Sequence, residues 1–396
     1  MHDEDGADRK PLSMETILTH GGRFPDDQFG FVNTPVFRGS TVLFKTLADH
    51  DSPRQPYLYG RAGNPTTTGV ESIVTELEGA HRTTLVPSGL SAITVAMLSA
   101  VKAGDEILVT DTVYEPARTF CDKFLVRMGV AVRYYDPRIA SGMANLISGR
   151  TKAIWVESPG SLTFEVQDLP AIVAAARPHG VKVMVDNSWA TPLYHRPLAL
   201  GADVVIHAAT KMFVGHSDAL VGTVSATEAA WPDVLLARRL LGLNVAGDDA
   251  FLTARGLRTL ALRMKEHSVR STELARWLEG CEGVEQVYHP ALSSHPDHTL
   301  FKRDFTGAGS LFSIRIKGGP RSALAAMMDG LKLFAMGYSW GGYESLCVPF
   351  DPTPVRTVLP WTADGQMLRI HVGFEGFDDL KADLKAGLDR YLAALA

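Results

Sequence analysis

The 396-residue chain predicts an α/β fold: a mostly parallel sheet covered by helices, followed by a smaller C-terminal α+β domain. Three observations carry this expectation. From "LVPSGLSAITVAMLSAV" onward, short apolar runs alternate with helical patterns, the signature of strand–helix–strand units. The runs "VKVMVD" and "DVVIHA" are apolar nearly throughout, as strands buried on both faces must be. After about residue 245 the pattern changes to one long helical stretch and then to strand-like runs. The length agrees, since about 150 residues per domain suggests two domains.

In chain order, residues 1–60 read as an extended N-terminal arm, because "FPDDQFGFVNTPVFRGSTVLF" mixes Pro, Gly and short apolar pieces without a sustained helical period. The sheet domain, residues 61–248, opens a helix over 89–101 and then offers strands at "EILVT", "AVRYYD" and "KAIWVES". A helix over 168–178 leads to "VKVMVD" and "DVVIHA". The C-terminal domain, residues 249–396, takes in the helical "DDAFLTARGLRTLALRMKEHSVRSTELARWLEG" across its start. It continues with "VEQVYHP", "SLFSIRIKG", a helix near 321–330, "MLRIHVGFE" and an amphipathic helix from Asp378.

Composition narrows the function. Hydrophobic residues at 45%, charged residues at 21% and a net charge of −5 describe an enzyme-sized folded body, without the dense Lys/Arg cluster that nucleic acid requires. The partners expected are small molecules. No run approaches about 18 apolar residues, and "MHDEDGADRKPLS" lacks the basic start and apolar centre of a signal peptide. No membrane association and a cytoplasmic location are the expectation. Cys121, Cys281 and Cys347 are far apart and form no C-x-x-C, so neither a disulfide framework nor a zinc ribbon is encoded. His289, His295 and His298 in "HPALSSHPDH" give the one metal-like spacing, but without helical geometry or a carboxylate pair they read as a polar surface loop, and no metal is expected.

In parallel sheets the ligand crevice lies at the carboxyl ends of the strands. "VKVMVD" ends on Asp186, and "DVVIHAAT" runs directly into Lys211, so both are expected at that rim. Each has an ordinary reading, a turn-capping Asp and a Lys snorkelling from a strand end. Together they supply what pyridoxal phosphate needs: an amine for a Schiff base and a carboxylate for the pyridinium nitrogen. Ser88 and Gly89 in "PSGLSA" open a helix whose free N–H groups suit the phosphate, and Thr210 adds a donor from the other side. Tyr114 in "DTVYEPAR" follows a strand end, where it could stack on the cofactor ring or simply belong to the core. Arg369 shares the more polar face of its strand with His371, which suits either a carboxylate clamp or a surface salt bridge.

"YGRAGNPT", "VPSGLSA", "DTVYEP", "VMVDNSWATP", "AATKMFVGHSDALVGT", "RGLRTLALR", "YSWGGYESL" and "LRIHVGFE", in this order, resemble the cysteine/methionine-metabolism family of pyridoxal-phosphate enzymes. The resemblance implies fold type I, and a homotetramer built as a dimer of dimers with active sites shared across the dimer. It implies that Lys211 is the Schiff-base lysine and principal catalytic residue, Asp186 the pyridinium partner and Tyr114 the ring-stacking, catalytic tyrosine. Gly89, Leu90 and Thr210 correspond to phosphate contacts, and Tyr59 and Arg61 to the pair reaching the phosphate from the neighbouring subunit. Arg369 matches the clamp on the substrate α-carboxylate, with Ser339 and Trp340 lining the substrate pocket.

Within the family, Ser339-Trp340-Gly341-Gly342 resembles the β-eliminating form, whereas "GRAGNPT" is common among the γ-class relatives. The implied reaction is β-elimination of L-cystathionine to homocysteine, pyruvate and ammonia. γ-Elimination or γ-replacement is the alternative, and a non-catalytic binding protein the more distant one. Intact Lys211, Asp186, Tyr114 and Arg369 speak against that last reading.

Overall fold

Seven short strands form the first sheet: β1 Arg82–Val86, β2 Glu106–Thr110, β3 Ala131–Tyr135, β4 Thr151–Glu157, β5 Lys182–Asp186, β6 Val204–His207 and β7 Gly222–Ala226. The computed structural model describes residues 12–52 and 54–395; the acid-rich start of the arm (residues 1–11), Pro53 and Ala396 lie outside the described residues. The sheet order is β1-β7-β6-β5-β4-β2-β3, and only β7 runs antiparallel to its neighbours. The mostly parallel sheet expected from the sequence is therefore present. Side chains of successive strand residues point to opposite faces. Accordingly Ile107, Val109, Trp155, Met184, Val204 and Ile206 share a core with the helix Gly89–Ala100. Leu108, Ile154, Val156, Val183, Val185 and Val205 pack on the opposite face with the helix Leu169–Ala176.

The second sheet is antiparallel, in the order β10-β11-β9-β8, from β8 Val284–Tyr288, β9 Leu311–Ile316, β10 Leu346–Phe350 and β11 Gln366–His371. Leu368 and Ile370 enter a core with Leu324 and Met327 of the helix Arg321–Met328 and Leu384 and Leu388 of the helix Phe377–Ala393. By alternation Arg369 and His371 turn the other way, toward the first sheet's rim.

Three expectations need correction. The arm is not extended throughout: Met14–His20 is a helix, and its buried Ile17 and Leu18 pack with Val70 and Ile73 of the helix Pro65–Glu78. Seven residues, about two turns, are too few for a 3.6 period to stand out from its surroundings. The long helical pattern is two helices, Gly247–Leu257 and Leu260–Leu278, because the chain breaks at Arg258 and Thr259. The histidine run is not a surface loop, since His289 and His295 are buried. His289 contacts Ser271 Oγ at 3.3 Å, His295 Nδ1 accepts the Asp297 N–H at 3.1 Å, and His298 Nδ1 lies 3.0 Å from the Pro290 carbonyl. Burial pushes His289 down to about 3, favouring the neutral ring expected of a structural histidine.

Candidate active site

Strands β4, β5 and β6 end side by side, with Glu157 paired to Asp186 and Asp186 to Ile206 in the sheet register. Two residues after Trp155 and Met184 respectively, Glu157 and Asp186 project from the face that carries the helix Gly89–Ala100. That helix starts at the same rim. Ser88 caps it, its hydroxyl accepting the Ser91 N–H at 3.0 Å and its carbonyl the Ala92 N–H at 3.1 Å. The N–H groups of Gly89 and Leu90 precede any intrahelical acceptor and are the ones left for a ligand. A Cβ on Gly89 would sit 2.5 Å from Ala208 Cβ, so only glycine lets the helix start approach the chain leaving β6.

Lys211 sits in a tight turn directly after that strand. Its N–H bonds the Ala208 carbonyl at 2.9 Å and its carbonyl accepts the Gly215 N–H at 2.8 Å. The buried Arg263 guanidinium clamps the turn from below, donating to the carbonyls of Met212 at 2.7 Å and Gly256 at 2.7 Å. Lys211 Nζ donates to Ser339 Oγ at 2.6 Å and lies 5.4 Å from the Trp340 ring centroid. Burial and the nearby Arg369 charge push the amine down to about 8, with Asp186 opposing them. Roughly a tenth of the amine is therefore neutral and nucleophilic at pH 7, far more than for an ordinary lysine.

Arg369, on β11, donates to the Ser339 carbonyl at 3.2 Å, so the same residue touches both cations of the site. Ser339 has φ +82°, a left-handed backbone unusual for serine, and Gly341 follows with φ +89°. The buried His371 ring holds this loop, receiving the Gly341 N–H at 3.3 Å and contacting Ser310 Oγ at 2.7 Å through Nδ1.

A cavity of about 320 Å³ gathers these parts, and Ser88, Gly89, Leu90, Tyr114, Asp186 and Thr210 line it together with Lys211. Ser339, Trp340 and Arg369 close its other side. Thr210 is less free than expected: its hydroxyl donates to the Val221 carbonyl at 3.1 Å and accepts the Val221 N–H at 3.0 Å. Tyr59 and Arg61 stand apart from the cavity within this single chain. Tyr59 bridges to Thr41 through its backbone, and Arg61 donates to the Arg239 carbonyl at 3.3 Å.

Among the lining residues that sequence reasoning missed are Glu157, Ser188 and Trp189. A signal for Glu157 was available, since "KAIWVES" ends on an acid as "VKVMVD" does. Ser188 donates its N–H to Asp186 Oδ1 at 2.9 Å and receives the Ala208 N–H on its hydroxyl at 2.7 Å, fixing both strand exits.

The chain matches the model of the "Cys/Met metabolism PLP-dependent enzyme" family over residues 15–389. It is 39% identical to cystathionine beta-lyase MetC of Escherichia coli (strain K12), over 97% of this chain and 99% of that protein. It is 37% identical to the L-alanine/L-glutamate racemase of Wolbachia pipientis wMel, over 96% and 98% of the two chains. Among solved structures, cystathionine gamma synthase from Xanthomonas oryzae pv. oryzae, in complex with aminoacrylate and cysteine, aligns with a TM-score of 0.89 at 31% identity. That alignment covers 98% of this chain and all of the other, 100%.

Proposed function

This chain belongs to the Cys/Met metabolism family of pyridoxal-phosphate-dependent enzymes, and from that premise we propose that it cleaves L-cystathionine by β-elimination to homocysteine, pyruvate and ammonia. The observation that carries the reading is the meeting of Lys211, Asp186 and Arg369 around one cavity.

The donor set fits the cofactor. Lys211 would offer an amine more easily deprotonated than an ordinary lysine to its aldehyde carbon, and half-buried Asp186 would offer a carboxylate to its ring nitrogen. Gly89 and Leu90, at the start of a twelve-residue helix, offer free N–H groups and the positive end of a dipole to its phosphate. When bound, the cofactor accepts the electron pair released at the substrate Cα. Tyr114, which lines the cavity, would cover one face of its ring.

Arg369 receives the substrate α-carboxylate as a planar, bidentate pair. Lys211 takes the proton from Cα and returns one to the departing sulfur, and Ser339, 2.6 Å from its Nζ, holds the amine between those two tasks. Atoms balance with one water: cystathionine and water give homocysteine, pyruvate and ammonia.

The site reads as half of a shared one. Exposure of Phe29 at 97% and Leu43 at 88% leaves the arm with apolar surface that a neighbouring subunit would cover. A homodimer that brings Tyr59 and Arg61 to the partner's phosphate site, paired into a homotetramer, accounts for both features. A cytoplasmic setting suits an enzyme of amino-acid metabolism; among the described residues no helix is long and apolar enough to cross a membrane.

Product analysis with L-cystathionine tests the reaction. Homocysteine with pyruvate supports β-elimination. Cysteine with 2-oxobutyrate would instead support the γ-class alternative, which the likeness to the Xanthomonas structure and the "GRAGNPT" stretch keep in view.

A further inference from the structure

We propose that Glu157 is a positioning residue that holds Tyr114 in place through an uncharged carboxyl group, leaving the negative charge of the strand rim to Asp186. The inference rests on the cofactor reading above.

Glu157 and Asp186 are register partners on adjacent parallel strands and project from the same face. Two half-buried carboxyls side by side cannot both ionise cheaply unless each has its own cation. The cations are unevenly shared. Burial raises Asp186 as well, but the Ser188 N–H that it accepts and the nearby Lys211 work against that rise and favour its ionised form. The cation that favours the ionised form of Glu157 is Arg356, and that guanidinium is already engaged by the Asp111 carbonyl at 2.9 Å, the Ser161 carbonyl at 3.2 Å and the Thr163 hydroxyl. Burial and the neighbouring Asp186 accordingly push Glu157 well above the usual carboxylate range.

What Glu157 does hold is the backbone of Tyr114. Its Oε2 accepts the Tyr114 N–H at 2.8 Å. Tyr114 is the residue before the helix Glu115–Phe120, and its side chain makes no capping bond, so its ring is free to line the cavity. The only acceptor this N–H needs is a carbonyl oxygen, which a neutral carboxyl or an amide supplies as a carboxylate does.

The test compares Glu157→Gln with Glu157→Ala. Infrared difference spectra of the apoprotein, with glutamate carboxyls isotopically labelled, should show a protonated-carboxyl band at neutral pH that Glu157→Gln removes. In the holoenzyme, the pH midpoint of the cofactor absorbance in Glu157→Gln should stay within about 0.3 units of wild type, since no charge is lost. Glu157→Gln should retain kcat within about threefold, while Glu157→Ala loses about tenfold or more and releases cofactor faster. A missing band, a midpoint moved by about one unit or more, or a Gln variant as impaired as the Ala variant would overturn the proposal. Failure of the wild-type chain to take up pyridoxal phosphate would sink the cofactor reading instead, and the apoprotein band would still report on Glu157.

Discussion

Lys211 Nζ and Ser339 Oγ, 2.6 Å apart, join a turn leaving the seven-stranded sheet to a loop leading into the four-stranded one. The reactive amine is thus oriented by the sheet that does not carry it. Its environment also sets its protonation. Burial and the Arg369 charge lower the amine to about 8, from an ordinary 10.5. The neutral amine is the attacking form, so covalent capture of pyridoxal phosphate by the apoprotein should accelerate with rising pH through a midpoint near 8. Stopped-flow absorbance at a series of pH values reads this directly. A midpoint near that of a free lysine would show that the cavity does not tune the group.

The loop that carries Ser339 depends on Gly341. Its φ of +89° suits glycine, and an added Cβ would lie 3.0 Å from the Lys211 carbonyl carbon. Gly341→Ala should cost about 1–3 kcal/mol of local strain and displace the loop from the lysine turn. The expected result is a fall in kcat/KM of about tenfold or more. Gly149→Ala, where a Cβ meets nothing within 4 Å and φ is not positive, is the control and should leave activity unchanged.

How much of this was legible beforehand depended on whether the signal was local. Asp186 and Lys211 each follow an apolar run that could only be a buried strand, so their shared rim followed from the rule for parallel sheets. Arg369 was legible through strand alternation, because Leu368 and Ile370 claim the core side. Glu157 carried a comparable signal but was hidden in a run ending "ES", where the serine blurred the strand boundary. The helix Met14–His20 was not legible, because its two buried residues gain their burial from a helix fifty residues on. Thr210's engagement with Val221 could not be read at all, since it depends on how the chain returns into β7.

Among the described residues the Arg369 guanidinium makes one hydrogen bond, to the Ser339 carbonyl at 3.2 Å, and the residue lines the cavity. Its role is therefore separable from folding. Arg369→Ala should leave the thermal midpoint close to wild type. It should lower kcat/KM for amino-acid substrates by about 2–4 kcal/mol, roughly 30- to 900-fold, as the carboxylate loses its charge-assisted pair. Should the specificity constant stay unchanged, Arg369 would be a structural cation of the second sheet.

The placement of Tyr59 and Arg61 outside the cavity leads to the most decisive test of a shared site. Lys211→Ala removes the base within a chain, and Arg61→Ala removes the residue proposed to cross to a partner; each homo-oligomer should be close to inactive. In a mixed dimer one site draws Lys211 from the Arg61→Ala chain and Arg61 from the Lys211→Ala chain, and so carries both native residues. The other site carries both lesions. Mixing the two variants under conditions that exchange subunits should restore activity toward half of the wild-type value per mixed dimer. Differently tagged chains, co-purified to prove exchange, make a negative result informative. If verified hybrids stay as inactive as their parents while each parent folds and assembles, Arg61 acts within its own chain and the shared-site proposal fails.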